Sequence, residues 1–318
     1  MKKKIIVTDH AFKNVAYEQQ MANDFDAVFE CHSCETEDDT RAAIADADVV
    51  FVNFAPVTKN VLSVLKPGAT VIRYGIGYDN VDIKAATELG ISVANVPDYG
   101  VATVADHATA SLLPLLRRIP AYNALFAQSD KVRPGDVGDI RGFRSTVIGL
   151  VGMGRIARAV VERLRPFGFS FIATDPYCDQ TVFDSLGVER VTLDELAKRA
   201  HAISLHAPST ADNIHLIGAD FLSKVQQGTV LVNTARGSLV DLDALAAAVT
   251  DGRIAGAALD VTDPEPLPLD SPLRGMTQVV LTPHAAFYDD DSLQNLQRLA
   301  SEEAARALLG EELRCKVN

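Results

Sequence analysis

The sequence predicts an α/β protein built from two doubly wound parallel-sheet domains. Three observations carry that expectation. Short runs of β-branched residues alternate with segments of helical periodicity almost from end to end, the pattern of parallel sheets covered by helices. The chain has 318 residues, enough for two domains of ordinary size. One βαβ stretch, residues 145–175, carries a glycine fingerprint that the hundred residues before it lack.

In those first hundred residues, strands are expected at 4–8, 27–31, 48–54, 70–74 and 92–95, with helices at 15–23, 36–45, 60–65 and 83–89 between them. The glycine-rich Gly75-Ile76-Gly77 follows the fourth strand. Parallel sheets take ligands beyond the carboxyl ends of their strands. The N–H groups of Ile76 and Gly77 therefore make either an anion-binding nest or a plain turn before a helix. Thr103 and Asp106 have the spacing of a capping box, so a connecting helix is expected to start near Thr103. It should kink at Pro114 and end at Pro120. Residues 127–144, rich in glycine and charge, read as an extended arm.

The fingerprint follows. Ser145–Gly152 reads as a buried strand, a helix runs from Gly154 to about Phe167, and a second strand ends on Asp175. Gly152 makes the tight turn, Gly154 lets a pyrophosphate approach, and Ala157 is small enough for helix–strand packing. The helix N-terminus turns unpaired N–H groups toward the phosphates. Asp175, 21 residues after Gly154, stands where a carboxylate accepts from the adenosine ribose and repels a 2′-phosphate, which favours NAD over NADP. Further strands at 189–191, 202–206, 229–233, 256–260 and 279–282 bring this sheet to seven. The helix at 289–309 has one apolar face and is expected to return to the first domain. Residues 1–100 with 287–318 thus form a flavodoxin-like domain for the substrate, and 101–286 a Rossmann domain for NAD. Two crossings of the chain suit a hinge with a cleft.

Composition narrows the function classes. A hydrophobic fraction of 47% and a charged fraction of 23% are those of a globular protein, and no apolar run is long enough to span a membrane. A net charge of -12 argues against a broad nucleic-acid surface. The basic start is followed by only three apolar residues, so no secretory signal is expected and a cytoplasmic location is the default. Cys31 and Cys34 form a CxxC with no second pair at ligand spacing, so reduced cysteines and no metal site are expected.

Three ionisable residues sit just past successive strands of the second domain: Arg236 after 229–233, Glu265 after 256–260 and His284 after 279–282. They share the carboxyl edge with Gly152 and Gly154. An Arg to hold a keto acid, a His to move the hydroxyl proton and a carboxylate to orient the imidazole make a dehydrogenase set. Around them stand Gly75–Asp82, Asn95-Val96-Pro97, Val104–His107, Gly152–Ile156, Val232–Gly237, Leu259–Val261, Glu265–Leu267 and Thr282–His284. On these motifs nearly the whole chain resembles the D-isomer-specific 2-hydroxyacid dehydrogenases. The resemblance implies Arg236, Glu265 and His284 as the catalytic set. It places Thr103, Arg155, Ile156, Asp175, His206, Pro208, Thr234, Ala235 and Asp260 against NAD, Asp260 on the nicotinamide carboxamide. His107 is expected to be a structural hydrogen-bonder. The chain departs from the family in having Gly142-Phe143-Arg144-Ser145 before the fingerprint strand and no Trp in the arm.

The resemblance implies a reductase of small 2-keto acids. Asn95–Gly100 and His284–Tyr288 are also similar to the C-terminal-binding-protein branch, which leaves an NAD-sensing binding protein as the alternative. A homodimer built on the second domain is implied too, with Ala121, Tyr122, Leu125 and Phe126 as apolar interface candidates. The substrate pocket is expected to draw on Asn53, Tyr74, Gly75, Ile76, Gly77, Arg236 and Phe287. Alternation along the fourth strand points Arg73 away. A wall short of cations favours glyoxylate and hydroxypyruvate over 3-phosphohydroxypyruvate, with 3-phosphoglycerate as the alternative substrate.

Overall fold

The computed structural model describes residues 2–318. The chain divides into two compact units, Met1–Gly100 with Tyr288–Asn318, and Val101–Phe287. Among the described residues no helix is long and apolar enough to cross a membrane.

Unit 1 is a five-stranded parallel sheet. Its strands are β1 (Lys4–Val7), β2 (Val28–Cys31), β3 (Val49–Val52), β4 (Thr70–Arg73) and β5 (Ser92–Ala94), in the order β2-β1-β3-β4-β5. This is the flavodoxin-like order. At the centre of the sheet both faces are buried, so β3 is apolar at every position rather than at alternate ones, whereas the edge strand β2 is partly exposed. Val50 and Val52 join one core with Val71 and Val93. Val49 and Phe51 join the other with Ile5, Ile72 and, from the last helix (Asp290–Leu309), Leu296, Ala300 and Ala304. The apolar face seen in the sequence is therefore what closes the second side of this sheet. Asp289 caps that helix through the N–H of Ser292 at 2.6 Å.

Unit 2 is a seven-stranded parallel sheet. Its strands are β6 (Val147–Val151), β7 (Ser170–Thr174), β8 (Glu189–Arg190), β9 (Ala202–Leu205), β10 (Thr229–Asn233), β11 (Ile254–Leu259) and β12 (Val279–Leu281). The order is β12-β11-β10-β9-β6-β7-β8. The strand order reverses beside β6, which the glycine fingerprint follows, as expected of a dinucleotide fold. The helix after the fingerprint (Arg155–Leu164) packs beside the connecting helix (Val101–Leu116) in one core with Ile148, Val230 and Val232.

Two details differ from the sequence reading. The connecting helix begins at Val101, not near Thr103. Thr103 therefore lies inside the first turn rather than at the cap, and the Asp106 carboxylate pairs with the Arg163 guanidinium. Pro120 opens a new helix (Ile119–Phe126) rather than only ending the old one. It stands in that helix's first turn, where no N–H is required. Arg118 makes the junction in a left-handed conformation, φ 57°, with its guanidinium donating to the Gly228 carbonyl at 3.0 Å.

Candidate active site

In unit 2, three loops leave the carboxyl ends of β10, β11 and β12 and carry Arg236, Glu265 and His284. Asn233, fully buried at the end of β10, shapes the first loop. Its amide donates to the Arg236 carbonyl at 2.8 Å and its carbonyl oxygen accepts from the Ala235 N–H at 3.0 Å. The Arg236 guanidinium also donates to the Ala235 carbonyl at 2.7 Å. His284 Nδ1 lies 2.8 Å from Glu265 Oε1. Their side chains are 33% and 42% exposed, so the imidazole is paired on one nitrogen and reachable from solvent. Phe287 stands edge-on to this imidazole, with ring centroids 6.1 Å apart.

Asp260, expected against the nicotinamide, is also held by the protein. Its Oδ1 accepts from the Thr282 hydroxyl at 2.6 Å and the Ala285 N–H at 2.8 Å, and its Oδ2 from the Ala286 N–H at 2.9 Å. Three of about four lone-pair positions of the carboxylate are taken. What Asp260 visibly does is fix the segment carrying His284, whose own N–H donates to the Asp260 carbonyl at 2.8 Å.

The dinucleotide loop is equally pre-formed. Gly152 has φ 94°, and a Cβ there would lie 2.8 Å from the His206 carbonyl. Asp175 accepts from the Met153 N–H at 2.8 Å on one oxygen, and from the N–H groups of Tyr177 and Cys178 at 2.9 and 3.2 Å on the other. The helix that follows has Gly154 at its N-cap with no side chain capping it, which leaves its first N–H groups to a phosphate. Ser204 Oγ, His206 Nε2 and Thr234 Oγ1 are shut off from solvent without a hydrogen-bond partner. Burial pulls the His206 ring down to about 4, so it is neutral at physiological pH. A dinucleotide fits this set of open donors and orphaned polar atoms. Arg155 is exposed, whereas Ile156 is half-buried.

Unit 1 corrects two expectations, one for Tyr74 and one for Arg73. Tyr74 does not line a pocket. It is 1% exposed and sits against Phe12 and Phe51, and its hydroxyl donates to Glu18 Oε1 at 2.8 Å. Burial drives both the Tyr74 phenol and the Glu18 carboxyl upward. The side-chain alternation used to turn Arg73 away sends Tyr74 into the core, and the Arg73 guanidinium returns over the loop. Arg73 Nη1 lies 2.1 Å from where a Cβ of Gly75 would be, and the Tyr99 hydroxyl 3.7 Å from it.

Three side chains given no role by the sequence hold this region in place. Asp9 accepts from the N–H groups of Asn53 and Phe54 at 3.0 and 2.6 Å. Asn80 donates to the carbonyls of Asn53 and Ala55, and Asn95 to that of Ile76 at 2.7 Å. The signal was available, because Asn80 and Asn95 lie inside recognised motifs. In the CxxC both cysteines are free, Cys31 exposed and Cys34 buried, and burial pushes the Cys34 thiol up to about 11.

Residues 109–286 match the family described as D-isomer specific 2-hydroxyacid dehydrogenase, NAD binding domain. The chain is 38% identical over 283 residues to a D-3-phosphoglycerate dehydrogenase of Mycobacterium bovis, covering 88% of this chain and 53% of that protein. It thus spans about half the length of the curated relatives it matches. Among solved structures, the TT0316 protein from Thermus thermophilus superposes with a TM-score of 0.86 at 29% identity, covering 99% of this chain and 100% of the other. A D-lactate dehydrogenase from Aquifex aeolicus, complexed with NAD and lactic acid, does so with a TM-score of 0.84 at 25% identity and 96% coverage of each chain. The relatives named as enzymes are dehydrogenases and one acyclic imino acid reductase, and they lend nothing to the sensor alternative. The chain belongs to the D-isomer-specific 2-hydroxyacid dehydrogenase family, and its second unit is that family's NAD-binding domain.

Proposed function

We propose that this chain is an NAD-dependent D-2-hydroxyacid dehydrogenase, reducing a 2-keto acid or oxidising the corresponding hydroxy acid. The observation that carries this reading is the 2.8 Å pair of His284 Nδ1 and Glu265 Oε1 on the NAD-binding unit. NAD, when bound there, supplies or accepts the hydride at C2. The protein does the rest. With Nδ1 committed to Glu265, His284 Nε2 is the nitrogen that gives a proton to the keto oxygen in reduction and takes it back in oxidation. Glu265 fixes the ring and stabilises its charged form. Arg236 presents a planar fork to the substrate carboxylate. Asp175 accepts from the ribose hydroxyls and disfavours a 2′-phosphate.

One observation favours a second reading of the substrate. Glyoxylate and hydroxypyruvate were expected to lead because Arg73 was expected to face away. Its guanidinium instead lies against Gly75. That supports an acid with a second anionic group, 3-phosphoglycerate among them, in keeping with the substrate in the names of the curated relatives. Steady-state NADH oxidation on glyoxylate, hydroxypyruvate and 3-phosphohydroxypyruvate tests both readings. No turnover on any of them sinks the dehydrogenase, and the highest kcat/KM names the substrate. His284→Asn should cut kcat by ~10²–10⁴-fold with NADH affinity unchanged.

The same reading includes a homodimer. The helix Ile119–Phe126 is apolar yet has no buried residue, and Phe126 is 65% exposed. With the arm that follows, it borders a cavity of about 970 Å³ lined by Leu116, Leu125, Ile140 and Ile254. Such surface suits a second copy. Sedimentation at micromolar concentration should give a dimer, and a monomer would contradict it.

A further inference from the structure

His107 stands two turns into the connecting helix and takes no part in the chemistry above. Its Nε2 lies 3.3 Å from the Thr282 hydroxyl oxygen and 3.8 Å from Asp260 Oδ1. The direction of the first contact follows from counting hydrogens. Thr282 has one hydroxyl proton, and it goes to the Asp260 carboxylate, which can only accept, at 2.6 Å. The Thr282 oxygen must then accept from His107, so Nε2 carries a proton. The result is an ordered chain, His107 Nε2–H to Thr282 Oγ1–H to Asp260 Oδ1, ending on the carboxylate that holds the N–H groups of Ala285 and Ala286.

What this chain holds is strained. His284 has φ 51°, in the left-handed region. For a residue with a Cβ that conformation is strained and persists only where neighbouring bonds impose it. Asp260 imposes it from both sides: its carbonyl accepts the His284 N–H and its carboxylate the next two N–H groups. Remove the His107 donor and Thr282 is free to rotate off the carboxylate, and the segment after His284 loses one of its ties. Both ends of unit 2 meet at this point, since the connecting helix starts at Val101 and the unit ends at Phe287.

We propose that His107 is a positioning residue for His284, acting through Thr282 and Asp260 by donating a hydrogen bond rather than by carrying charge. This rests on the dehydrogenase reading for its kinetic consequence, but not for its structural one. In His107→Leu, kcat should fall by about tenfold, the scale on which a small displacement of a catalytic group acts. NADH affinity, KM and Tm should stay close to wild type. His107→Gln, which keeps an N–H donor and has no charge, should restore kcat. Thr282→Val should reproduce the Leu variant, and the double variant should be no worse than either alone. Independently of activity, amide hydrogen exchange at Ala285 and Ala286 should speed up by about fivefold in His107→Leu and not in His107→Gln. An unchanged kcat in the Leu variant overturns the proposal. So does a Gln variant as impaired as Leu, or a loss of kcat that tracks Tm and NADH affinity. If no keto acid is turned over, the exchange readout still decides: faster exchange in Leu alone supports the relay while the dehydrogenase reading falls, and unchanged exchange removes the relay as well.

Discussion

Gly75 and Gly152 each follow a parallel strand at its carboxyl end. Both adopt positive φ, 119° and 94°, and neither has room for a Cβ. They differ in what the added atom would meet. At Gly152 it meets backbone, the carbonyl carbon and oxygen of His206 at 2.8 Å and the Ala207 nitrogen at 2.9 Å. At Gly75 it meets the tip of a long side chain, Arg73 Nη1 at 2.1 Å. Backbone on either side of a parallel sheet is held by its ladder and cannot step back. A guanidinium on a flexible stem can. The first loop is thus a fixed cradle, as suits an invariant pyrophosphate. The second, the substrate loop of the function proposed above, is a scaffold whose lining is set by one exchangeable side chain, Arg73.

The comparison is broken most directly by adding the missing atom. Gly152→Ala should be the more damaging. The left-handed backbone costs of order 1–3 kcal/mol, and overpacking against β9's exit adds about 1–3 kcal/mol more. NADH affinity should collapse, with a drop in Tm of unit 2. Fluorescence titration that found unchanged NADH binding would show that the loop yields where the packing says it cannot.

Gly75→Ala should do less and something different. The backbone penalty is the same in kind, but the collision is relieved when Arg73 swings away. NADH affinity should hold while KM for the preferred keto acid rises. Arg73→Ala should raise KM alike without the backbone strain, by about 10- to 100-fold if it removes one charge-assisted hydrogen bond of about 1.5–3 kcal/mol. If Arg73→Ala leaves KM unaltered for all three acids while Gly75→Ala raises it, the loop acts through its backbone alone and the side-chain role is wrong.

The same contrast explains what could be read from the sequence. Features made by backbone geometry were legible. All twelve strands, the fingerprint, the return of the last helix and the joint edge of Arg236, Glu265 and His284 follow from period, glycine spacing and parallel topology. Features made by a side chain choosing between two directions were not. Tyr74 and Arg73 are adjacent, and alternation correctly separates them. It does not say which one turns back over the loop, because that depends on Phe12, Phe51 and Glu18, which surround the ring from other elements. The Thr103 cap failed because the helix starts at Val101, two residues earlier, and Asp106 pairs with Arg163, 57 residues beyond it. The tie from His107 to Thr282 spans 175 residues, a separation at which no local pattern speaks.

The smallest effect concerns the neighbour that makes the Gly152 cradle tight. His206 Nε2 is enclosed and partnerless, and burial holds the ring at about 4 against an ordinary value of 6.5. A depressed histidine makes the folded chain bind fewer protons than the unfolded one between those values. Stability contributed by the neutral ring is therefore fully present above about pH 6.5 and is lost as pH falls toward about 4, by at most ~1.4 kcal/mol per pH unit. Carboxylates contribute to acid lability as well, so the measurement is a difference. In cofactor-free protein, Tm of wild type and His206→Asn should be compared from pH 7 to pH 4.5. The variant should lose less Tm across that range, because an amide cannot titrate, even if it starts lower. Parallel curves would mean that the ring takes up a proton in the folded state after all. The cradle around Gly152 would then be open to water, and the backbone contact that separates it from the Gly75 loop would not be the rigid one.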